Sequence, residues 1–256
     1  MTSELSTIIK VETLRKEFGG VVAVNNLDLS FTKGHVSSLI GPNGAGKTTV
    51  FNLITGFLPP TSGKILLNGK DLTGKKPHKI SALGIGRTFQ NVQVFPAMSV
   101  LENVMVGRHL RSRCGMVVSC LLPQALRPEE KRIRESALSC LNAVGLAEYA
   151  DRQAGSMPLG SQRMLEIARG LALEPAVLFL DEPASGLNAR ETVGMGELIG
   201  KIKAMGITVI LVEHDMELVM DISDKVAVVN FGSLIAEGTP KEIQANPEVI
   251  NAYLGA

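Results

Sequence analysis

The chain of 256 residues is long enough for one large α/β domain or a domain with a subdomain, and 26 Lys and Arg against 25 Asp and Glu leave a net charge of +1. That balance gives no general electrostatic case for nucleic acid or an acidic membrane surface, so partners must be recognised by shape. Cys114, Cys120 and Cys140 lack the paired short spacings of a zinc site or a disulfide framework and read as free thiols of a reducing cytosol.

The start, Met1 to Ser6, has neither the basic residues nor the apolar core of a signal peptide. Ile8 to Leu14 and Val21 to Phe31 read as strands joined by a Gly19-Gly20 turn, with Phe18 just before it. The apolar run Val36 to Ile40 then leads into Gly41-Pro42-Asn43-Gly44-Ala45-Gly46-Lys47-Thr48-Thr49 and an apolar-periodic segment, Val50 to Phe57. Strand, glycine-rich loop and helix in that order form the phosphate-loop pattern. Glycines 41, 44 and 46 let successive backbone N–H groups turn toward phosphate oxygens, and the helix adds its positive N-terminal end. Lys47 is placed to reach β- and γ-phosphates, and the Thr48 hydroxyl to ligate Mg²⁺.

A Pro59-Pro60-Thr61-Ser62-Gly63 turn precedes a strand from Lys64 to Asn68, and Gly69-Lys70-Asp71 reads as the next turn. Gly84 to Gln90 is a short strand-like piece ending in a polar residue. Helices are expected at Ser99 to Leu110 and at Glu129 to Val144, the second with Ile133, Ala137, Leu138, Leu141 and Val144 on one face. Between them, apolar Gly115 to Leu122, flanked by Arg111, Arg113 and Arg127, falls short of the roughly 18 residues that span a bilayer and is expected to pack inside an insertion. A helix from Gly160 to Leu173 closes the insertion.

Val177 to Leu180 is a buried parallel strand ending in Asp181-Glu182-Pro183. Asp181 is placed for the magnesium shell, and Glu182 to orient and deprotonate a water. A helix from Ala189 to Met205, apolar at Leu198, Ile202 and Met205, leads to the strand Ile207 to Val212, which delivers Glu213-His214-Asp215 to the edge where such sheets bind ligands. Asp224 to Asn230 and Ser233 to Ala236 form a hairpin around Phe231-Gly232, and short helices follow from Pro240 and Pro247.

In this order the phosphate loop, Gln90, Asp181-Glu182 and His214 resemble the nucleotide-binding subunit of an ABC transporter, end to end. The resemblance implies an α/β P-loop NTPase core of mostly parallel strands at 1–90 and 166–256, with an N-terminal antiparallel β portion, and a helical subdomain at 91–165. It implies ATP and Mg²⁺ as ligands and ATP hydrolysis as the reaction. Phe18 then resembles the aromatic that stacks on adenine, Gln90 the loop residue that touches Mg²⁺ and water and senses the membrane partner, and His214 the γ-phosphate switch. Mg²⁺ would be held by Thr48, Gln90 and, through water, Asp181.

The family signature Leu-Ser-Gly-Gly-Gln stands here as Met157-Pro158-Leu159-Gly160-Ser161, where only Gly160 matches. The family serine serves the site of the opposite subunit, so Pro158, without hydroxyl or N–H, implies two unequal ATP sites. Asn188 also stands where an aspartate is usual. Glu17-Phe18-Gly19-Gly20, Thr88-Phe89-Gln90, Leu165 to Arg169, Glu213 to Met216 and above all Pro247 to Gly255 are similar to the larger ATPase subunit of branched-chain amino-acid importers. ATPases of lipopolysaccharide exporters or of amide and urea importers share some of this pattern. Soluble ABC ATPases usually carry a second cassette or long heptads, and a non-hydrolysing regulator would leave Glu182 and His214 unexplained. The implied partners are a second, different ATP-binding subunit, transmembrane permease subunits and, indirectly, a substrate-binding protein. The implied place is the cytoplasmic face of the inner or plasma membrane, with no nucleic acid involved.

Overall fold

The computed structural model describes residues 6–108 and 123–254, with the side chains of 123–128 and 254 left aside. Cys114, Cys120, the segment Gly115 to Leu122 with Arg111 and Arg113, and the Arg127 side chain therefore lie outside the described residues. Cys140 is a free, half-buried thiol.

Among the described residues, two sheets carry the fold. The first has the order β2-β1-β4-β5, with β1 Thr7–Phe18, β2 Val21–Thr32, β4 Ser62–Leu67 and β5 Lys70–Asp71, all antiparallel. β1 runs past the expected Leu14 because irregularities in its pairing absorb the twist, with Thr13 at φ 43 opposite Asp28, whose Oδ1 accepts the Thr13 N–H at 2.8 Å. Gly63 already belongs to β4, since a Cβ there would lie 2.5 Å from the Thr13 carbonyl oxygen. The turn expected at Gly69 to Asp71 sits one residue earlier, at Asn68-Gly69, and Lys70-Asp71 pair with Leu66-Leu67.

The second sheet has the order β10-β9-β3-β8-β7-β6, with β3 Val36–Ile40, β6 Ile85–Arg87, β7 Val177–Asp181, β8 Thr208–Val212, β9 Lys225–Asn230 and β10 Ser233–Gly238. Five strands are parallel, and β10 returns antiparallel to β9 as the expected hairpin. β3, β7 and β8 are buried at every position, which explains why they read as continuous apolar runs rather than alternating ones. Their side chains still divide by period two. Val177, Phe179, Ile210 and Val212 enter the core shared with α1 (Lys47–Ile54) and the first sheet, whereas Leu178, Leu180, Val209 and Leu211 face the helices on the other side. Phe179 meets Phe51 of α1 edge-on at 5.0 Å and 88°, a pairing worth about 0.5–1.5 kcal/mol beyond burial. It seats the phosphate-loop helix against the strand that ends in Asp181.

The opposite core is closed by α3 (Val100–Arg108), α4 (Pro123–Ala143), α5 (Leu159–Leu171) and α6 (Ala189–Ala204). Ser99 and Glu102 exchange side-chain-to-backbone bonds of 3.1 and 2.7 Å that start α3. The same device starts α6, where Asn188 and Glu191 bond reciprocally at 3.0 Å. Met205 falls beyond α6 and is exposed, because Gly206 at φ 82 turns the chain away, so it does not join Leu198 and Ile202 in the core. Shorter helices fill connections among the described residues, α2 (Pro77–Ala82), α7 (Met216–Ile222) and α8 (Pro240–Gln244), and α9 (Pro247–Leu254) ends them. Among the described residues no helix is long and apolar enough to cross a membrane.

Candidate functional site: a phosphate loop facing a clamped glutamate

Because its strands are parallel, the central sheet brings the loops after β3, β6, β7 and β8 to one edge. After β3 comes the phosphate loop. Gly41 cannot be replaced, since a Cβ would stand 2.0 Å from the Val229 carbonyl oxygen; at Gly46 (φ 100) it would stand 2.5 Å from that of Ala23. The Lys47 side chain, 6% exposed, folds back so that Nζ donates to the carbonyls of Gly41 at 2.6 Å and Pro42 at 2.9 Å. Burial lowers its pKa, against the opposing pull of the Glu182 charge. Thr48 is exposed beside it.

Residues Asn43 to Thr49, with Ala23, Gln90, Glu182 and His214, surround a cavity of about 260 Å³. Gln90, Glu182 and His214 come from three different loops and meet there. Glu182 takes the left-handed conformation at φ 50, uncommon for a side-chain-bearing residue, directly after β7. Its Oε1 lies 2.8 Å from His214 Nε2, and its Oε2 accepts from Gln90 Nε2 at 2.9 Å. Toward an ionised carboxylate, the imidazole can only donate, so Nε2 is the protonated ring nitrogen in this arrangement.

Asp181, 2% exposed, accepts through Oδ2 from Arg87 Nη2 at 2.8 Å, while its buried Oδ1 has no hydrogen-bond partner. Thr48, Gln90 and Asp181 offer oxygen donors, the hard ligand type Mg²⁺ prefers, and the orphaned Oδ1 is a buried acceptor of the kind a water-bound cation satisfies. The donor set therefore fits the metal.

Two further candidates stand apart from this cavity. Phe18, at the end of β1, is 44% exposed, with Lys16 Nζ 4.9 Å above its ring. Gly160 lies in the first turn of α5, where a Cβ would stand 2.7 Å from Glu191 Oε1. Pro158 caps that helix without any side-chain bond.

Three residues matter here that the sequence did not single out. Glu213, 3% exposed, accepts from Ala184 N at 2.6 Å and from His214 N at 2.9 Å, and so ties the loop after Glu182 to the loop bearing His214. Glu166 of α5 is buried and accepts from Phe89 N at 3.2 Å, joining α5 to the loop of Gln90. Arg87 holds Asp181. The available signal was general: Arg87 ends the short strand β6, and a charge in a buried element requires a partner, which the sequence does not name.

The fold and the site define an ATP-binding cassette. Residues 24–185 match the profile of the ABC transporter family, and residues 233–256 match that of the branched-chain amino acid ATP-binding cassette transporter. The chain is 47% identical over 249 residues to the high-affinity branched-chain amino acid transport ATP-binding protein BraF of Pseudomonas aeruginosa, covering 97% of this chain and 98% of that one. It is 46% identical, with the same coverage, to LivG of Escherichia coli, a protein of the same description. Among solved structures, a nucleotide-free ATP-binding cassette from an ABC transporter superposes with a TM-score of 0.86 at 32% identity, covering 98% of this chain and 100% of that one. The ADP conformation of such a cassette also superposes with a TM-score of 0.86, at 33% identity and the same coverage. The chain belongs to the ABC transporter family, as an ATP-hydrolysing cassette.

Proposed function

We propose that this chain is the ATP-binding and hydrolysing subunit of a membrane importer for branched-chain amino acids. The observation that carries the enzymatic part is the convergence of Gln90 and His214 on Glu182 across a cavity from the phosphate loop. The substrate class rests on the likeness to BraF and LivG and on the match at residues 233–256.

In this reading Phe18 stacks on adenine, and the backbone N–H groups of Gly41, Pro42–Thr49 (Pro42 excepted, as it has none) cradle the phosphates. Lys47 leaves the Gly41 and Pro42 carbonyls to pair with β- and γ-phosphate oxygens. Thr48, Gln90 and, through water, Asp181 would hold Mg²⁺, which when bound neutralises charge between the phosphates. Glu182 is the general base toward the attacking water. Each of its oxygens already accepts one bond, and recruitment of His214 to the γ-phosphate releases Oε1 to accept from that water. Gly160 and its neighbours, which do not line this cavity, serve the site of a second ATP-binding subunit, so each ATP is enclosed between two chains.

We assign the nucleotide-binding core to 1–90 and 166–256 and the helical subdomain to 91–165. The partners are a second, different ATP-binding subunit and transmembrane permeases fed by a substrate-binding protein, with this chain at the cytoplasmic face of the membrane. Co-expression with permeases that import branched-chain amino acids tests the assignment: a purified complex should hydrolyse ATP faster when its loaded binding protein is added. A complex stimulated only by amides, urea or lipopolysaccharide would replace the substrate class and leave the ATPase reading intact.

A further inference from the structure

Arg87 pairs with Asp181 in an unusual way. The pair is buried, with side chains 7% and 3% exposed, and an Arg fork in such a place ordinarily grips both carboxylate oxygens. Here only Nη2 reaches the carboxylate, at 2.8 Å from Oδ2. Nη1 is diverted to the phosphate-loop helix and its cap, donating to Asn52 Oδ1 and Thr55 Oγ1, each at 2.7 Å. The cation also lies over the rings of Phe57, Phe89 and Phe51, with its centre 5.3, 5.2 and 5.9 Å from their centroids.

The consequence is that Arg87 Nε and Asp181 Oδ1 both remain buried without a hydrogen-bond partner, although they belong to the same ion pair. Buried polar groups are rarely left unsatisfied, and a buried ion pair retained for stability alone would close the second bond. An arrangement that withholds this bond keeps Oδ1 available to something else. We infer that Arg87 is a positioning residue for the metal shell: by gripping Oδ2 alone and anchoring its other arm on Asn52 and Thr55, it fixes the Asp181 carboxylate with Oδ1 free for the water bound to the divalent cation. This inference rests on the assignment of Asp181 to the magnesium shell. The positions of Phe57 and Phe89 also make it a connection to the surface, since Phe57 is 47% exposed and meets Phe89 edge-on at 5.3 Å.

The test uses the full chain, a non-hydrolysable ATP analogue and Mn²⁺ in place of Mg²⁺, with bound Mn²⁺ read by electron paramagnetic resonance and nucleotide affinity read separately in EDTA. Arg87→Lys keeps the buried charge and loses the diverted arm. It should weaken Mn²⁺ binding to the nucleotide complex by about 10-fold to 100-fold, the range for residues that orient metal ligands, while metal-free nucleotide affinity changes less than about twofold. The double variant Asn52→Ala/Thr55→Val leaves the ion pair in place and releases the arm, so it should shift Mn²⁺ affinity in the same direction and decides the matter if Arg87→Lys does not fold. Asp181→Asn is the control. If it weakens Mn²⁺ binding while the other two variants keep wild-type values, or lose metal-free nucleotide affinity in equal proportion, the role given to Arg87 is overturned and that of Asp181 stands. If Asp181→Asn itself leaves Mn²⁺ binding unchanged, the underlying assignment fails instead.

Discussion

His214 and Glu182, 32 residues apart in the chain, meet with Nε2 2.8 Å from Oε1. The contact is made possible by adjacent parallel strands: Asp181 pairs with Val212, so the residues that follow each leave the sheet side by side. Glu213 then fastens the two loops together through Ala184 N and His214 N. A glutamate held this way is pre-aimed at the phosphate loop.

Lys47→Ala should lose nucleotide affinity rather than turnover alone, because Lys47 is the positive side chain placed within the phosphate loop and its cavity. Direct titration with ATP checks this, and an unchanged dissociation constant would refute it.

Glu166 carries a pH dependence whose sign is fixed. Burial raises its pKa, opposed by the Phe89 N–H, by Arg169 and Arg163, and by the Gln93 backbone. A carboxyl with a raised folded-state pKa binds its proton more tightly folded than unfolded, so it costs stability as pH climbs above the ordinary carboxylate range. Glu166→Gln keeps an acceptor for the Phe89 N–H and removes the charge. Melting temperatures measured from about pH 5 to about pH 8 should show the variant gaining on the wild type as pH rises. A gap that is constant or shrinks with pH would contradict this.

The loop after Gln90 is pinned by Asn103, which accepts from Phe95 N at 2.8 Å and donates to the Phe95 carbonyl at 3.0 Å, yet Phe95 and Met98 remain exposed. Exposed apolar side chains on a fixed loop suit a partner helix. Cysteines placed from Val94 to Met98 should crosslink to cytoplasmic loops of the permease in the assembled complex. Crosslinks confined to the segment from Phe231 onward would reject the assignment.

Asymmetry follows from Pro158, which caps α5 with neither hydroxyl nor N–H to offer. If the segment around Pro158 completes the partner's site, as proposed, then in a complex with a second ATPase of intact signature the site containing Lys47 and Glu182 should be the faster. Loss of a γ-phosphate donor in a desolvated site is worth about 3–4 kcal/mol, or two to three decades in rate. Base substitutions made in each subunit in turn should therefore give unequal losses of ATPase activity, the larger from Glu182→Gln.

Much of this site was legible because its motifs sit at the ends of strands buried throughout, where sequence shows an unbroken apolar run and then an abrupt polar one. Val36 to Gly41 and Val177 to Glu182 are such places. The short helices α2 and α7 were not legible, since six or seven residues give too few turns for a 3.6-residue period to emerge. Asp215 was the available sign for α7, as its side chain accepts from Leu218 N at 3.1 Å and caps the helix. Arg87, Glu166 and Glu213 were hidden for a different reason. Each acts through a partner distant in sequence, Asp181, Phe89 and Ala184 respectively, and no local pattern announces a pairing that only the sheet order creates.

Whether Glu182 is the base of a nucleotide site formed on this chain is read from single-turnover ATP hydrolysis by the assembled transporter with Glu182→Gln in this subunit. The expected result is ATP affinity within about twofold of wild type with hydrolysis slowed by about 10² to 10⁴, the contribution of a positioned base. Hydrolysis at the wild-type rate would show that Glu182 is not the base.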